Sequence, residues 1–188
     1  MRCLVIALLA IMGFGCGRSP AVNASASPPP KVTAPPATDE KALYEGVRSG
    51  YFQLSGVQAT LEQAVGEVNG LSTKGDANLA SVVTDLREAL DSAGAGIADY
   101  TDEPPPFAEF SKDFAAQDEK RIRAIDAAND ALHELEDASG LVSDLLGESK
   151  YAKNASLGDL ADVIQLAIDD LTEAINSLGG KVEAAPAS

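Results

Sequence analysis

Residues 122–146 read IRAIDAANDALHELEDASGLVSDLL, and this stretch decides the fold. Its apolar or small positions Ile125, Ala128, Leu132, Leu135, Ser139, Val142 and Leu146 recur at alternating intervals of three and four. Such intervals keep one side of an α-helix apolar and form a heptad-like, coiled-coil-type seam. A strand would instead alternate apolar and polar residues at every second position. A helix with one apolar side must bury it, so the stretch implies partner helices. Phe107, Phe110, Phe114 and Ile122 extend the stripe upstream. The spacing therefore predicts one long helix over 107–146, with Pro106 in its first turn, where a missing N–H costs nothing. Gln117 and Asp118 interrupt its middle, and Gly140 is a candidate break.

The same periodicity appears three more times. Val47, Tyr51, Leu54, Leu61, Val65, Val68 and Leu71 share one helical face, with Gln58 the polar member of the series. Asp39 and Glu40 stand at the start of that segment, where negative charge suits the helix dipole. Gly46, Gly50 and Gly56 should weaken it, each by about 1 kcal/mol relative to Ala, so its first turns are expected to fray. Ser72–Asp76 is turn chemistry, with Asp76 placed to cap a second helix. That helix carries Leu79, Val82/Val83, Leu86, Leu90, Ala93, Ile97 and Tyr100, and Asp102-Glu103-Pro104-Pro105-Pro106 ends the segment. After a polar stretch from Gly147 to Asn154, Ser156–Asp159 is similar to a capping box. A last stripe follows through Leu157, Leu160, Ile164, Ile168, Leu171, Ile175 and Leu178, closed by Gly179-Gly180. Short links make successive helices antiparallel neighbours. The expected fold is all-α: an antiparallel up-down bundle of about four helices over residues 39–180, followed by a disordered tail at 181–188.

The chain begins differently. Met1-Arg2 is followed by an apolar run from Cys3 to Gly15, the layout of a secretory signal peptide. The run is shorter than the roughly 20 apolar residues needed to span a bilayer. Gly13-Phe14-Gly15-Cys16 resembles the lipobox of bacterial lipoproteins, in which the cysteine is lipid-modified and becomes the new N-terminus. Gly15 and Cys16 fit that pattern, and Gly13 and Phe14 depart from it. The resemblance implies a signal peptide at 1–15 and lipid attachment at Cys16. It also implies an extracytoplasmic, membrane-anchored protein of the cell envelope. Gly17 looks like the pattern sent to an outer membrane where the cell has one. The alternative is ordinary secretion, with cleavage after Ala24-Ser25-Ala26. Residues 17–38, GRSPAVNASASPPPKVTAPPAT, are rich in Pro, Ala and Ser and favour extended backbone. With Cys16 they form an anchored linker over 16–38 that reaches at most about 75 Å.

Composition excludes several classes of function. Both cysteines and both methionines lie within residues 1–16, and His133 is the single histidine. Cysteine-built metal sites and thiol catalysis therefore have no residues to use in the bundle. Removing residues 1–15 takes Arg2 from 14 basic residues and nothing from 29 acidic ones, which leaves a net charge of −16. That charge repels nucleic acid and anionic lipid headgroups. Lipid on Cys16 is then the expected membrane contact, with an envelope protein as a candidate partner and no nucleic acid.

Three constellations are candidate sites. Asp130 and His133, at i and i+3, share a direction, but a di-metal bundle needs a second such pair. Asp162, Asp169, Asp170 and Glu173 give the last helix an acidic side without the loop spacing of a calcium site. Phe107, Phe110 and Phe114 are either core or the lining of an apolar pocket. Tyr51 shares the face of Val47 and is expected to pack, and Tyr44 is placed to join the phenylalanines. Phe52 points elsewhere and is expected to be exposed. No metal, cofactor or catalytic residue is assigned. The expected function is a non-enzymatic protein-interaction or spacer module, with a small-ligand or cation carrier as the alternative.

Overall fold

A computed structural model of the chain describes residues 40–183, and every regular element within them is helical. The expected signal peptide, Cys16, the 16–38 linker and residues 184–188 lie outside the described residues. Helix α1 spans Glu40–Gly70 and α2 spans Ala77–Ile97, continued by a 3₁₀ turn over Ala98–Tyr100. A short α3, Phe107–Phe110, and a second 3₁₀ turn, Ser111–Asp113, precede α4, Phe114–Gly147. Helix α5 spans Ala155–Ser177.

The four long helices close into a ring in which α1 packs on α2 and α5, and α4 packs on the same two from the other side. Each neighbouring pair is antiparallel. The beginning of α1 meets the end of α5 at Gly46 and Ser177, and Ser92 of α2 meets Glu134 of α4. Arg87 of α2 donates to Asn69 near the end of α1 at 2.7 Å. The architecture is the up-down bundle that the stripes imply.

The stripes all turn inward. Val47, Leu54, Leu61 and Val68 of α1 are buried, as are Leu79, Leu86, Leu90 and Ile97 of α2 and Leu157, Ile164, Leu171 and Ile175 of α5. On α4 the buried positions shift along the helix. Ala138 and Leu145 enter the core, while Ser139 and Leu146 are only half-buried. An α-helix drifts against a strict seven-residue repeat, so a seam followed over three heptads leaves the centre of the buried face.

The long third helix is interrupted, and earlier than Gln117 or Gly140. The α-helix stops at Phe110, and Asp113 leaves the helical region with φ −125° and ψ 41° before α4 begins. Intervals of three and four fit a 3₁₀ turn as well as an α-turn, so the phenylalanine spacing cannot reveal the break. The break turns Phe110 fully into the core.

The termini of the helices follow local chemistry. Asp76 caps α2, its Oδ1 accepting from the Leu79 N–H at 3.2 Å. Helix α5 is capped by Asn154, whose Oδ1 accepts from the Leu157 N–H at 3.4 Å, and not by Ser156 as the sequence suggests. Its C-terminus is a Schellman turn: Gly180 N–H donates to Ile175 at 2.9 Å and Gly179 to Asn176 at 3.0 Å, with Gly179 at φ +75°.

Two of the three glycines read as weak points in α1 have another role. A Cβ on Gly46 would lie 2.6 Å from the Ser177 carbonyl oxygen, and one on Gly50 would lie 2.5 Å from Leu178 Cγ. They let α1 approach the end of α5 at backbone distance. The helix is continuous through both from Glu40. Gly56, by contrast, faces open space.

Candidate functional site

The aromatic residues gather where α1 begins. The Tyr44 ring meets Phe107 and Phe110 edge-on at centroid distances of 5.4 and 5.2 Å, and Phe110 meets Phe114 at 6.3 Å. Phe110 is buried, Phe114 is half-buried and Phe107 stays partly in water. This is a packed plug at one end of the bundle. Tyr51 lies one step deeper, 6.3 Å from Tyr100, with the Lys120 ammonium 5.3 Å above its ring. Its hydroxyl is buried and meets no hydrogen-bond partner among the described residues. Burial, then the neighbouring Tyr100, pushes its pKa up to about 12, so this phenol stays neutral at physiological pH.

His133 lies outside the core. It is half-exposed on α4, with Nε2 3.4 Å from the carbonyl oxygen of Glu183. At the Gly179-Gly180 turn and beyond it the chain is held along α4 by two residues about two turns apart. Arg121 Nη1 donates to the Leu178 carbonyl at 2.6 Å. Asn129 Nδ2 donates to the Lys181 carbonyl at 3.3 Å, and its Oδ1 accepts from the Glu183 N–H at 3.0 Å. Lys181 and Glu183, expected in a disordered tail, are thus fastened to the bundle. Arg121 and Asn129 are the two buried polar side chains among the described residues, and periodicity missed both. A hydrophobicity stripe reads Arg and Asn as outward positions. Their spacing of eight, together with Ile125 midway, was the available signal.

The acids of α5 remain on its outer side: Asp162, Asp169 and Glu173 are exposed and Asp170 half-buried, with Gln165 Nε2 donating to Asp169 at 3.0 Å. Among the described residues, no three His, Cys, Asp or Glu side chains stand close enough to hold a metal ion. At the far end of the bundle, Asp76 also ties the two turns together. It accepts from Tyr151 Oη at 2.5 Å and pairs with Lys150. The hydrogen bond from Lys150, then that from Tyr151, lowers the Asp76 pKa to about 2.

The most distinctive surface is the outer side of α1. Phe52 stands 81% exposed, the most exposed large apolar residue described. It borders a groove of about 550 Å³ lined by Glu45, Arg48, Ser49, Ser55, Thr101 and Glu103, across which Arg48 and Glu103 pair at 3.5 Å. A second, shallower groove of about 310 Å³ runs between α1 and α2, with Leu61, Val65, Leu90 and Gly94 in its walls. From Ser49 to Leu61, α1 carries no charged residue, in a chain that is 23% charged. The outer sides of the other long helices carry acids, such as Asp85 and Glu88 on α2, Asp130 and Asp137 on α4, and Asp162 on α5. Sequence reading located Phe52 but not this gap in the charge, which a scan for missing charges would have shown.

No helix among the described residues is long and apolar enough to cross a membrane. No known protein family, no curated protein and no solved structure matches the chain.

Proposed function

We propose that this protein is a non-enzymatic, lipid-anchored component of a bacterial envelope, with its acidic helical bundle serving as a protein-interaction or spacer module. The observation that carries the reading is the stretch Ser49–Leu61 of α1, which has no charged residue of its own and presents an 81% exposed Phe52 beside the Arg48–Glu103 pair, on a bundle whose other outer sides carry acids. Phe52 adds exposed apolar area to a stretch of α1 that carries no charge to oppose the approach of a partner. The four apolar stripes close on one another, so the bundle needs no partner to bury its core. Catalysis has little to work with: one histidine engaged with a backbone carbonyl, and no cysteine after Cys16.

Attachment rests on the lipobox-like Gly15-Cys16 and on charge. An acidic bundle has no attraction to anionic lipid, and lipid chains on Cys16 would supply the hold at about 0.8 kcal/mol per buried CH₂. The 17–38 segment would set the bundle off the surface. The test is membrane fractionation of wild type against Cys16→Ser. Wild type is expected in the membrane fraction and Cys16→Ser in the soluble fraction or unprocessed. A normally cleaved Cys16→Ser protein that stays with membranes would refute the anchor.

A further inference from the structure

Lys181, Val182 and Glu183 lie along α4 with all three residues exposed, so the segment is gripped by its backbone. The grip is the amide of Asn129, itself only 4% exposed, which donates to the Lys181 carbonyl and accepts from the Glu183 N–H. We propose that residues 181–183 form a pH-sensitive strap, seated on α4 in mild acid and loosened as the pH rises. The strap would work in this way whether or not Cys16 carries lipid.

Its base is fixed. Gly179, at φ +75°, closes the end of α5, and a Cβ on Gly180 would lie 2.6 Å from Ile125 Cγ2, so Gly180 is pressed onto α4. Beyond that point the two Asn129 bonds and one imidazole contact hold three exposed residues. A segment with so few buried contacts opens locally without disturbing the core.

The surrounding charges set the direction. On α4, Asp126, Asp130 and His133 flank Asn129 at intervals of four and three. Burial, then the charges of Glu183 and Asp130, hold the Asp126 carboxyl above its ordinary value. Ionised Asp126 and Glu183 therefore repel, and a proton on Asp126 relieves the repulsion. His133 acts in the same sense. Its Nε2 lies 3.4 Å from the Glu183 carbonyl oxygen, and histidine is the side chain that gains charge between pH 8 and pH 5. An imidazolium has an N–H on both ring nitrogens, and a charged donor binds a carbonyl more strongly.

The remaining charges do not reverse this. Lys181 is the one cation of the strap, and it is exposed, where pairing with acids is worth little. It is Glu183, and not Lys181, whose charge registers at Asp126. Arg123, one turn before Asp126, is paired with Glu119. Glu136 and Asp137 continue the acidic side of α4 beyond His133. The charged groups of α5 are all acids: Asp159, Asp162, Asp169, Asp170 and Glu173. Helix α2 packs on the other flank of α4, where Ser92 meets Glu134.

The test is hydrogen exchange of the Glu183 amide in the full-length protein, resolved by NMR at pH 5 and pH 8 and corrected for the intrinsic rate at each pH. Protection is expected to be about threefold or more greater at pH 5, the scale of exposed charge interactions. The core amide of Leu171, which reports opening of the whole bundle, should not change in step. Asp126→Asn should raise protection at pH 8 toward the pH 5 value. His133→Ala should leave the amide protected through Asn129, yet lose part of the gain at pH 5. The double variant should lose most of the pH dependence. Protection that is equal at the two pH values, or greater at pH 8, would overturn the strap. A change matched by Leu171, or one undiminished in the double variant, would overturn it equally.

Discussion

Arg121 on α4 reaches through the bundle to the C-terminus of α5, its Nη1 2.6 Å from the Leu178 carbonyl oxygen. Its Nε and Nη2 meanwhile hold Asp118 Oδ1, each at 2.8 Å. The guanidinium is almost fully buried, so it satisfies an orphan helix carbonyl and has its charge matched in one place. Arg121→Ala would leave the Leu178 carbonyl without its partner and open a cavity. Stability should fall by about 3 kcal/mol, read as a drop of roughly 10 °C in melting temperature. Arg121→Lys should recover only part of this, because an ammonium cannot reproduce the planar fork.

The segment after α5 is fastened mainly by Asn129. Asn129→Ala should cost about 1–2 kcal/mol, the usual loss for buried amide hydrogen bonds. Hydrogen exchange should show the Glu183 amide losing its protection, because Asn129 Oδ1 is its acceptor. His133→Ala should leave that amide protected, since the imidazole lies near the carbonyl of Glu183 and not its N–H.

Glycines in α1 should respond in opposite directions. At Gly46 a Cβ would meet the rigid Ser177 backbone oxygen at 2.6 Å, so Gly46→Ala should destabilise by about 2 kcal/mol or more. At Gly56 a Cβ meets nothing, and Gly56→Ala should stabilise by about 0.5–1 kcal/mol through helix propensity. Chemical denaturation of the two single variants measures both signs.

Two aspartates give stability opposite dependences on pH. The folded pKa of Asp76 is lowered to about 2 from 3.8, so its contribution is present above about pH 4 and is lost as pH falls toward 2. Asp126 is raised by burial, then by Glu183 and Asp130. Its ionised form is unfavourable in the fold, and the penalty grows as pH rises through its folded pKa. Asp126→Asn should therefore raise the melting temperature at pH 7 and confer no advantage at pH 3. Asp76→Asn should lower it at pH 7 and make little difference at pH 2. Melts of the two variants across pH 2–7 measure these slopes.

How far the sequence could be read depended on what each signal measures. Apolar periodicity located the inward faces of all four long helices, because burial of Leu86, Leu135 and Ile164 is what produces the period. Asp76 and Gly179 were legible because a cap and a positive φ each need particular residue types. Arg121 and Asn129 were not, since their burial depends on a chain segment that crosses α4 some 50 residues later in the sequence. Gly46 and Gly50 were misread for the same reason: propensity sees the cost of glycine within its own helix and not the end of α5 beside it. Of the candidate surface, Phe52 followed from its position off the Val47 face. The missing charge from Ser49 to Leu61 is also present in the sequence, but apolar periodicity does not register it, since that signal reports burial and not the charge of an outer face.

Intact mass spectrometry of the protein extracted from the membranes of its host tests the central claim most directly. A chain beginning at Cys16, with the added mass of acyl chains on that residue, is the result expected of a lipid-anchored module. A chain with unmodified Cys16, or one beginning after Ala26 and recovered in the soluble fraction, would contradict it.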